Sequence, residues 1–281
     1  MLAGLGPATM VMVYDGYGAV STTAPGVSVV PGATNAEGAW TSIATGTNIA
    51  NDCYFLLLWI SGGNTTANDK SQILDIGVDS AGGTAYQALL SNICCGSSGF
   101  SQDGGYFYCF PLFIKGGSQV AARIQGSNGT AGTVRVAPQF WGRPSNVEET
   151  KTGRYSETIG TITNSGGQSF TPGTSAAEGA WQSLGTTTRS LWWWQLTVQC
   201  SNGTITALQY AFDLAYGDAS NKHFIVRRAQ MAIAGTAEKL NYVHPPFCYC
   251  DVPAGATLYV RGSCSGTPVT GFNATAVGIG G

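Results

Sequence analysis

The sequence predicts an all-β chain made of two tandem duplicated antiparallel β-sandwich modules, jelly-roll-like in type. Three observations carry that prediction. Residues 31–40 read PGATNAEGAW and residues 172–181 read PGTSAAEGAW, seven of ten positions identical at an offset of 141. Apolar residues alternate with polar ones at period two, the pattern of strands with one face buried. Glycine supplies 40 of the 281 residues, about twice its usual share, and turn residues punctuate the chain at roughly 8–12-residue intervals.

The repeat extends well beyond its best-matched segment. At offset 141, Ser42, Thr45 and Thr47 meet Ser183, Thr186 and Thr188. The offset then becomes 138, three residues fewer in the second copy, and aligns Asn64-Thr65-Thr66 with Asn202-Gly203-Thr204. In the same register Leu74-Asp75-Ile76 meets Phe212-Asp213-Leu214, Gly117 meets Gly255, and Arg123 meets Arg261. The chain divides accordingly into an N-terminal arm (1–20), a first module (21–143), a polar linker (144–157) and a second module (158–281). The opening MLAGLGPATMVMV has no cation, so it lacks the basic region of a secretory signal. It is expected to be an arm or a first strand.

Taken in order, residues 54–60 form a strand that turns at Gly62-Gly63-Asn64 into a second strand at 73–78. Residues 84–93 come nearest to a helical period, without caps. Val120, Ala122 and Ile124 alternate with Arg123 on the opposite face. In the second copy Trp192, Trp194, Leu196 and Val198 alternate with Trp193, Gln195, Thr197 and Gln199. A turn at Ser201-Asn202-Gly203 leads into a strand over 205–214, and Leu258 and Val260 stand opposite Arg261.

The two copies differ on one face. Trp193, Gln195, Thr197 and Gln199 are mostly polar, whereas the matching residues are Phe55, Leu57, Trp59 and Ser61. A water-facing surface is expected in the second copy and a covered one in the first. The cover is the sister module, the module's own second sheet, or another subunit, since large apolar patches mark contacts. Phe55, Leu57, Trp59 and Trp193 are therefore the interface candidates.

Charge and motifs narrow the function classes. Only 10% of residues are charged, the formal net charge is −2, and the first cation is Lys70. Clustered cations for nucleic acid or an anionic membrane are not expected. The longest apolar run, 53–60, has eight residues, far short of the ~20 needed for a membrane span. G-x-S-x-G, Walker and H-E-x-x-H motifs are absent from the sequence, so no catalytic, cofactor or metal residues are assigned and no enzyme is expected.

Weaker motifs fit structural roles. Asp15-Gly16-Tyr17-Gly18 fits strand-turn glycines better than a dinucleotide loop, because no helix pattern follows. Glu37 and Glu178, each inside AEGAW, are expected to support packing or a turn. His244, Cys248, Cys250 and Asp251 fall within eight residues, but their spacing is not that of a structural zinc site, and small core residues are the expectation. His223, beside Lys222 and near Arg227-Arg228, is expected in a solvated loop.

None of the eight cysteines faces a cysteine in the other copy. Six are matched by Leu191, Ala232, Ile233, Phe247, Phe110 or Leu112, and a site that accepts Leu or Phe reads as a packed core. Cys200 and Cys264 oppose Gly62 and Gly126 and are expected to be the more exposed pair. Reduced or subunit-linking thiols are favoured over a disulfide scaffold, since a chain of this length stabilises itself through its core.

The AEGAW segment, the DIGV run at 75–78 and FPLFIKGGSQVAARIQGS at 110–127 resemble uncharacterised virion structural proteins of tailed bacteriophages. The resemblance implies a duplicated β module of the capsid-decoration, neck or tail type, with no cofactor. It further implies a homo-oligomer in contact with other virion proteins, assembled in the host cytoplasm. The alternative is a carbohydrate-binding module that attaches the particle to host glycan through Trp193 or through Tyr106, Phe107, Tyr108 and Phe110.

Overall fold

The structure is a computed structural model that describes residues 11–16, 26–62, 71–95, 106–127, 132–142, 152–160, 166–200, 208–232, 247–268 and 270–281. The first module contains β1 (Val11–Asp15), β2 (Val27–Val29), β3 (Thr41–Ala44), β4 (Cys53–Gly62), β5 (Gln72–Asp79), β6 (Gln87–Cys94), β7 (Tyr106–Phe110), β8 (Gln119–Gly126) and β9 (Val134–Gly142). The second contains β10 (Tyr155–Ile159), β11 (Gln168–Phe170), β12 (Gln182–Thr186), β13 (Leu191–Cys200), β14 (Gln209–Gly217), β15 (Lys222–Ala232), β16 (Phe247–Val252), β17 (Thr257–Cys264) and β18 (Phe272–Gly280).

Both modules are antiparallel two-sheet sandwiches of the same topology. The first sheet runs β1-β9-β4-β7, with β2 also on β9; its counterpart runs β10-β18-β13-β16, with β11 on β18. The second sheets run β3-β8-β5-β6 and β12-β17-β14-β15. The repeated loops are anchored alike. Gly38 donates its N–H to the Ile124 carbonyl at 2.9 Å, and Gly179 donates to Gly262 at 2.8 Å. A Cβ on Gly38 would lie 2.3 Å from the Val30 carbonyl oxygen, and one on Gly179 2.7 Å from that of Thr171, so the glycine of AEGAW is required by close backbone approach in both copies.

The strand periodicity is obeyed on the inner faces. Leu56, Leu58 and Ile60 of β4 are buried in one core, and Trp194, Leu196 and Val198 of β13 in the other. Each such aliphatic side chain contributes about 1.5–3 kcal/mol relative to exposure. Residues 84–93, the nearest approach to a helical period, belong largely to strand β6. Its pairing with β5 slips between Leu74 and Ile76, which lets Leu90 and Ile93, three residues apart, both enter the core.

β1, inside the stretch read as an arm, pairs antiparallel with β9. β10, which begins inside the stretch read as a linker, occupies the same place on β18. Just before it, Gly153 donates to the Pro111 carbonyl at 2.7 Å and accepts from Phe113 N–H at 3.0 Å. The Arg154 guanidinium sits 4.3 Å over the Phe113 ring. The entry to the second module is thereby fastened to the first.

The modules meet where β6, the edge strand of one sheet, lies across the outer face of β10, β18 and β13. Edge strands carry backbone groups that need partners, and hydroxyls supply them here. Thr158 donates to the Ser91 carbonyl at 2.5 Å, and Ser156 donates to the Leu89 carbonyl. Cys94 N–H donates to Thr197 Oγ1 at 3.2 Å, and Thr275 Oγ1 donates to the Asn92 carbonyl at 2.9 Å. The Thr197 and Thr275 hydroxyls are 2.6 Å apart. With Thr275 already donating to Asn92, Thr197 is the donor between them, and a closed relay runs from one β6 backbone group to another.

Candidate functional site

Three constellations are candidates for a functional site, and the face singled out from sequence is the first. Trp193, Gln195, Thr197 and Gln199, expected to face water, are buried. Their sheet face is the one that covers β6, with Gln199 Oε1 accepting from Gln72 N–H at 3.1 Å. The expectation fails for a physical reason. Polar side chains on a strand face mark polar surroundings, and the unpaired backbone of an edge strand is as polar as water.

The apolar face of the first module is the more open one. Phe55 is buried at the seam, its ring 6.5 Å from Trp193 and nearly perpendicular to it. Trp193 stacks in turn on Phe247 at 4.9 Å. Further along β4, Leu57 is half-buried and Trp59 is 40% exposed. Trp59 lies 4.4 Å from the Phe107 ring on β7. Met12, paired opposite Trp141 on β9, is 45% exposed. Leu57, Trp59, Phe107, Met12 and Trp141 thus share one face of the β1-β9-β4-β7 sheet, with Gln139 and Asp15 among them. Sequence reading missed Met12, whose signal was the MVMV run before Tyr14.

The second constellation occurs twice. Arg123 bridges Glu37 at 2.5 Å and Asp75 at 2.9 Å, with its guanidinium 4.4 Å over the Trp40 ring. Arg261 bridges Glu178 and Asp213, the latter at 2.9 Å, and sits 4.3 Å over Trp181. The other oxygen of each aspartate accepts a strand N–H at a bulge: Asn92 donates to Asp75 at 2.8 Å and Arg228 to Asp213 at 2.7 Å. Both donors have left-handed φ, 57° and 54°. Each arginine therefore ties the AEGAW loop, two strands and a bulge together. The carboxylate near Glu37 that sequence reading did not find is Asp75, brought in by the β5–β8 pairing of Asp75 with Arg123.

The cysteines are all free thiols. Cys53, Cys94, Cys95 and Cys109 are buried, as expected, although strand pairing sets Cys94 against Gln230 of the sister copy and not Ala232. Burial pushes the Cys53 and Cys109 thiols up to about 12, with Asp52 adding repulsion at Cys53, and Cys94 up to about 11. Cys200 and Cys264, expected to be exposed, are buried, and Cys248 and Cys250 are the partly exposed pair. Cys200 and Cys264 stand at the inward-facing ends of long strands, where the sister glycines need no volume. His244 lies outside the described residues. Among those residues no group of three or more His, Cys, Asp or Glu could hold a metal, and no helix is long and apolar enough to cross a membrane.

No family model matches the chain, and no curated protein matches it. Among solved structures, PNGF-II is similar at TM-score 0.34 and 8% identity, over 96% of this chain and 65% of that one. The chain thus spans less than two thirds of PNGF-II. A peptide-N(4)-(N-acetyl-β-D-glucosaminyl) asparagine amidase is similar at TM-score 0.33 and 9% identity, over 90% of this chain and 95% of that one. Infectious bursal disease virus, Gx strain, follows at TM-score 0.23 and 11% identity, over 83% and 59%. The expectation that the chain is not an enzyme rested on missing sequence motifs, and it is corrected here. Catalytic groups are assembled by tertiary contact, so missing sequence motifs do not exclude them. Likenesses this remote assign no reaction to the chain.

Proposed function

We propose that the protein is a structural component of a virion, of the capsid-decoration, neck or tail type, which acts by oligomeric assembly through the open face of its first module. The observation that carries this reading is the set of apolar side chains Met12, Leu57 and Trp59, on the face whose counterpart residues Trp193, Gln195, Thr197 and Gln199 are buried at the module contact. Exposed apolar side chains such as Met12 and Trp59 favour burial against a further surface. The virion context rests on the motif resemblance of residues 36–42, 75–78 and 110–127.

The test is the mass of the native assembly, measured for the wild type and for Trp59→Thr, which installs the residue found at the sister position. An oligomer that dissociates at least in part on substitution, with thermal unfolding of the monomer little changed, is the expected result. A wild-type monomer, or an oligomer indifferent to the substitution, overturns the assembly reading. Antibody labelling of intact particles tests the virion context separately. The glycan alternative has lost most of its proposed platform, since Trp193, Tyr106, Tyr108 and Phe110 are buried.

A further inference from the structure

The strand β15 differs from its sister β6 in both surroundings and chemistry. Pairing places Ala88 opposite Gly77 and Phe224 opposite Ala215, which makes Phe224 the counterpart of Ala88. In the same register Arg227 replaces Ser91, and Arg228 replaces Asn92, the shared left-handed bulge residue. Leu89 to Cys94 of β6 are half-buried or buried, with Gln87 and Ala88 exposed, whereas His223, Phe224, Arg227, Arg228 and Gln230 on β15 are all exposed. His223 is thus on a strand, not in a loop, 5.1 Å from the Tyr216 ring.

These side chains build an aromatic and cationic surface on the β12-β17-β14-β15 sheet. Phe224 is 40% exposed and its ring is 5.9 Å from that of Trp181. The Arg227 guanidinium lies 5.0 Å from the Phe224 ring, and that of Arg261 5.7 Å from it. Lys222 Nζ is 4.0 Å over the Tyr259 ring. Arg227 and Arg228 have no ion pair among the described residues, in contrast to Arg261. Charged residues on an edge strand deter edge-to-edge pairing, but that role does not call for an exposed ring set between two guanidinium groups.

We propose that this face binds an acidic polysaccharide, with Phe224 stacking on the C–H face of a sugar ring and Arg227 and Arg228 taking its carboxylates. Aromatic rings offer sugars a flat apolar partner, and arginine pairs with carboxylates through two parallel hydrogen bonds. A chain of net charge −2 disfavours polyphosphate, whose charge density is higher. The site is separate from the patch around Trp59 and does not depend on the assembly reading.

Affinity electrophoresis of the full chain in gels containing polygalacturonate, polysialic acid or dextran, with a single-stranded oligothymidylate shift assay beside it, tests the proposal. Phe224→Ala and Arg227→Ser install the sister residues and keep a sequence that the module fold already accommodates. Retardation by at least one acidic polysaccharide, absent with dextran and oligothymidylate, is expected. Each variant should weaken it about tenfold, equivalent to about 1.4 kcal/mol, and added salt should weaken it further. Absence of retardation by both acidic polymers, equal retardation by dextran, preferential binding of oligothymidylate, or indifference to both variants each overturns the proposal.

Discussion

Asp213 and Asp75 show how one buried carboxylate sets the value of its partners. Asp213 accepts Arg228 N–H and Arg261 Nε–H in a site almost closed to water. Removing the guanidinium leaves that charge uncompensated, and breaking such a pair costs about 3–5 kcal/mol. Arg261→Met should therefore lower the unfolding free energy by that amount in urea titrations. Glu178, the loop carboxylate on the same arginine, is partly in solvent, so Glu178→Gln should cost less than about 1 kcal/mol. Equal effects would mean that the loop and the buried half of the network act as one unit. The thiols give a second residue-scale expectation. Cys53 and Cys109 are raised from the ordinary 9.0 to about 12, so they stay protonated when the unfolded chain has already released those protons. Their stabilising contribution is complete below pH ~9 and falls away as pH rises from there toward ~12. Substituting the sister residues, Cys53→Leu with Cys109→Phe, should flatten the loss of stability measured across that interval.

At the scale of elements, the free edge of β6 is capped by side chains instead of by another strand. The relay from Cys94 N–H through Thr197 and Thr275 to the Asn92 carbonyl satisfies both ends at once. Thr275→Val removes the hydroxyl that donates to Asn92 while keeping shape and leaves a part-buried carbonyl without that donor. A cost of about 1–3 kcal/mol is expected, together with faster hydrogen exchange at the Cys94 amide. Unchanged exchange there would show that the seam does not hold the β6 edge. The first module carries Ala137 and Trp59 where the second has Thr275 and Thr197. That substitution turns a surface suited to backbone groups into one suited to apolar side chains.

At the scale of the whole molecule, two faces with different physics point away from the seam. Association through Met12, Leu57, Trp59 and Phe107 is driven by burial of apolar area, so it should weaken on cooling and respond little to moderate salt. Sedimentation velocity at two temperatures and two ionic strengths checks this. Dissociation by salt without an effect of cooling would assign the contact to charges instead. Binding on the Phe224 and Arg227 face should show the opposite salt behaviour.

The sequence by itself determined the all-β class and the duplication. A shared offset holds AEGAW, Asp75 with Asp213, and Arg123 with Arg261 in register, and period-two alternation marks the inner faces of β4 and β13. Those properties are local, or are comparisons of the chain with itself. Tertiary structure alone decided which outer face meets water. Gln195, Thr197 and Gln199 look solvent-facing because side-chain polarity in a sequence does not tell water from the backbone of a distant strand. The Glu–Arg–Asp networks were hidden for a related reason: Glu37 and Asp75 are 38 residues apart and meet only on Arg123. Cys200 and Cys264 were misplaced because a glycine at the sister position reports that no side chain is needed there. It does not report that the site is open, and whether an added thiol points into the core is fixed by the strand on which it sits.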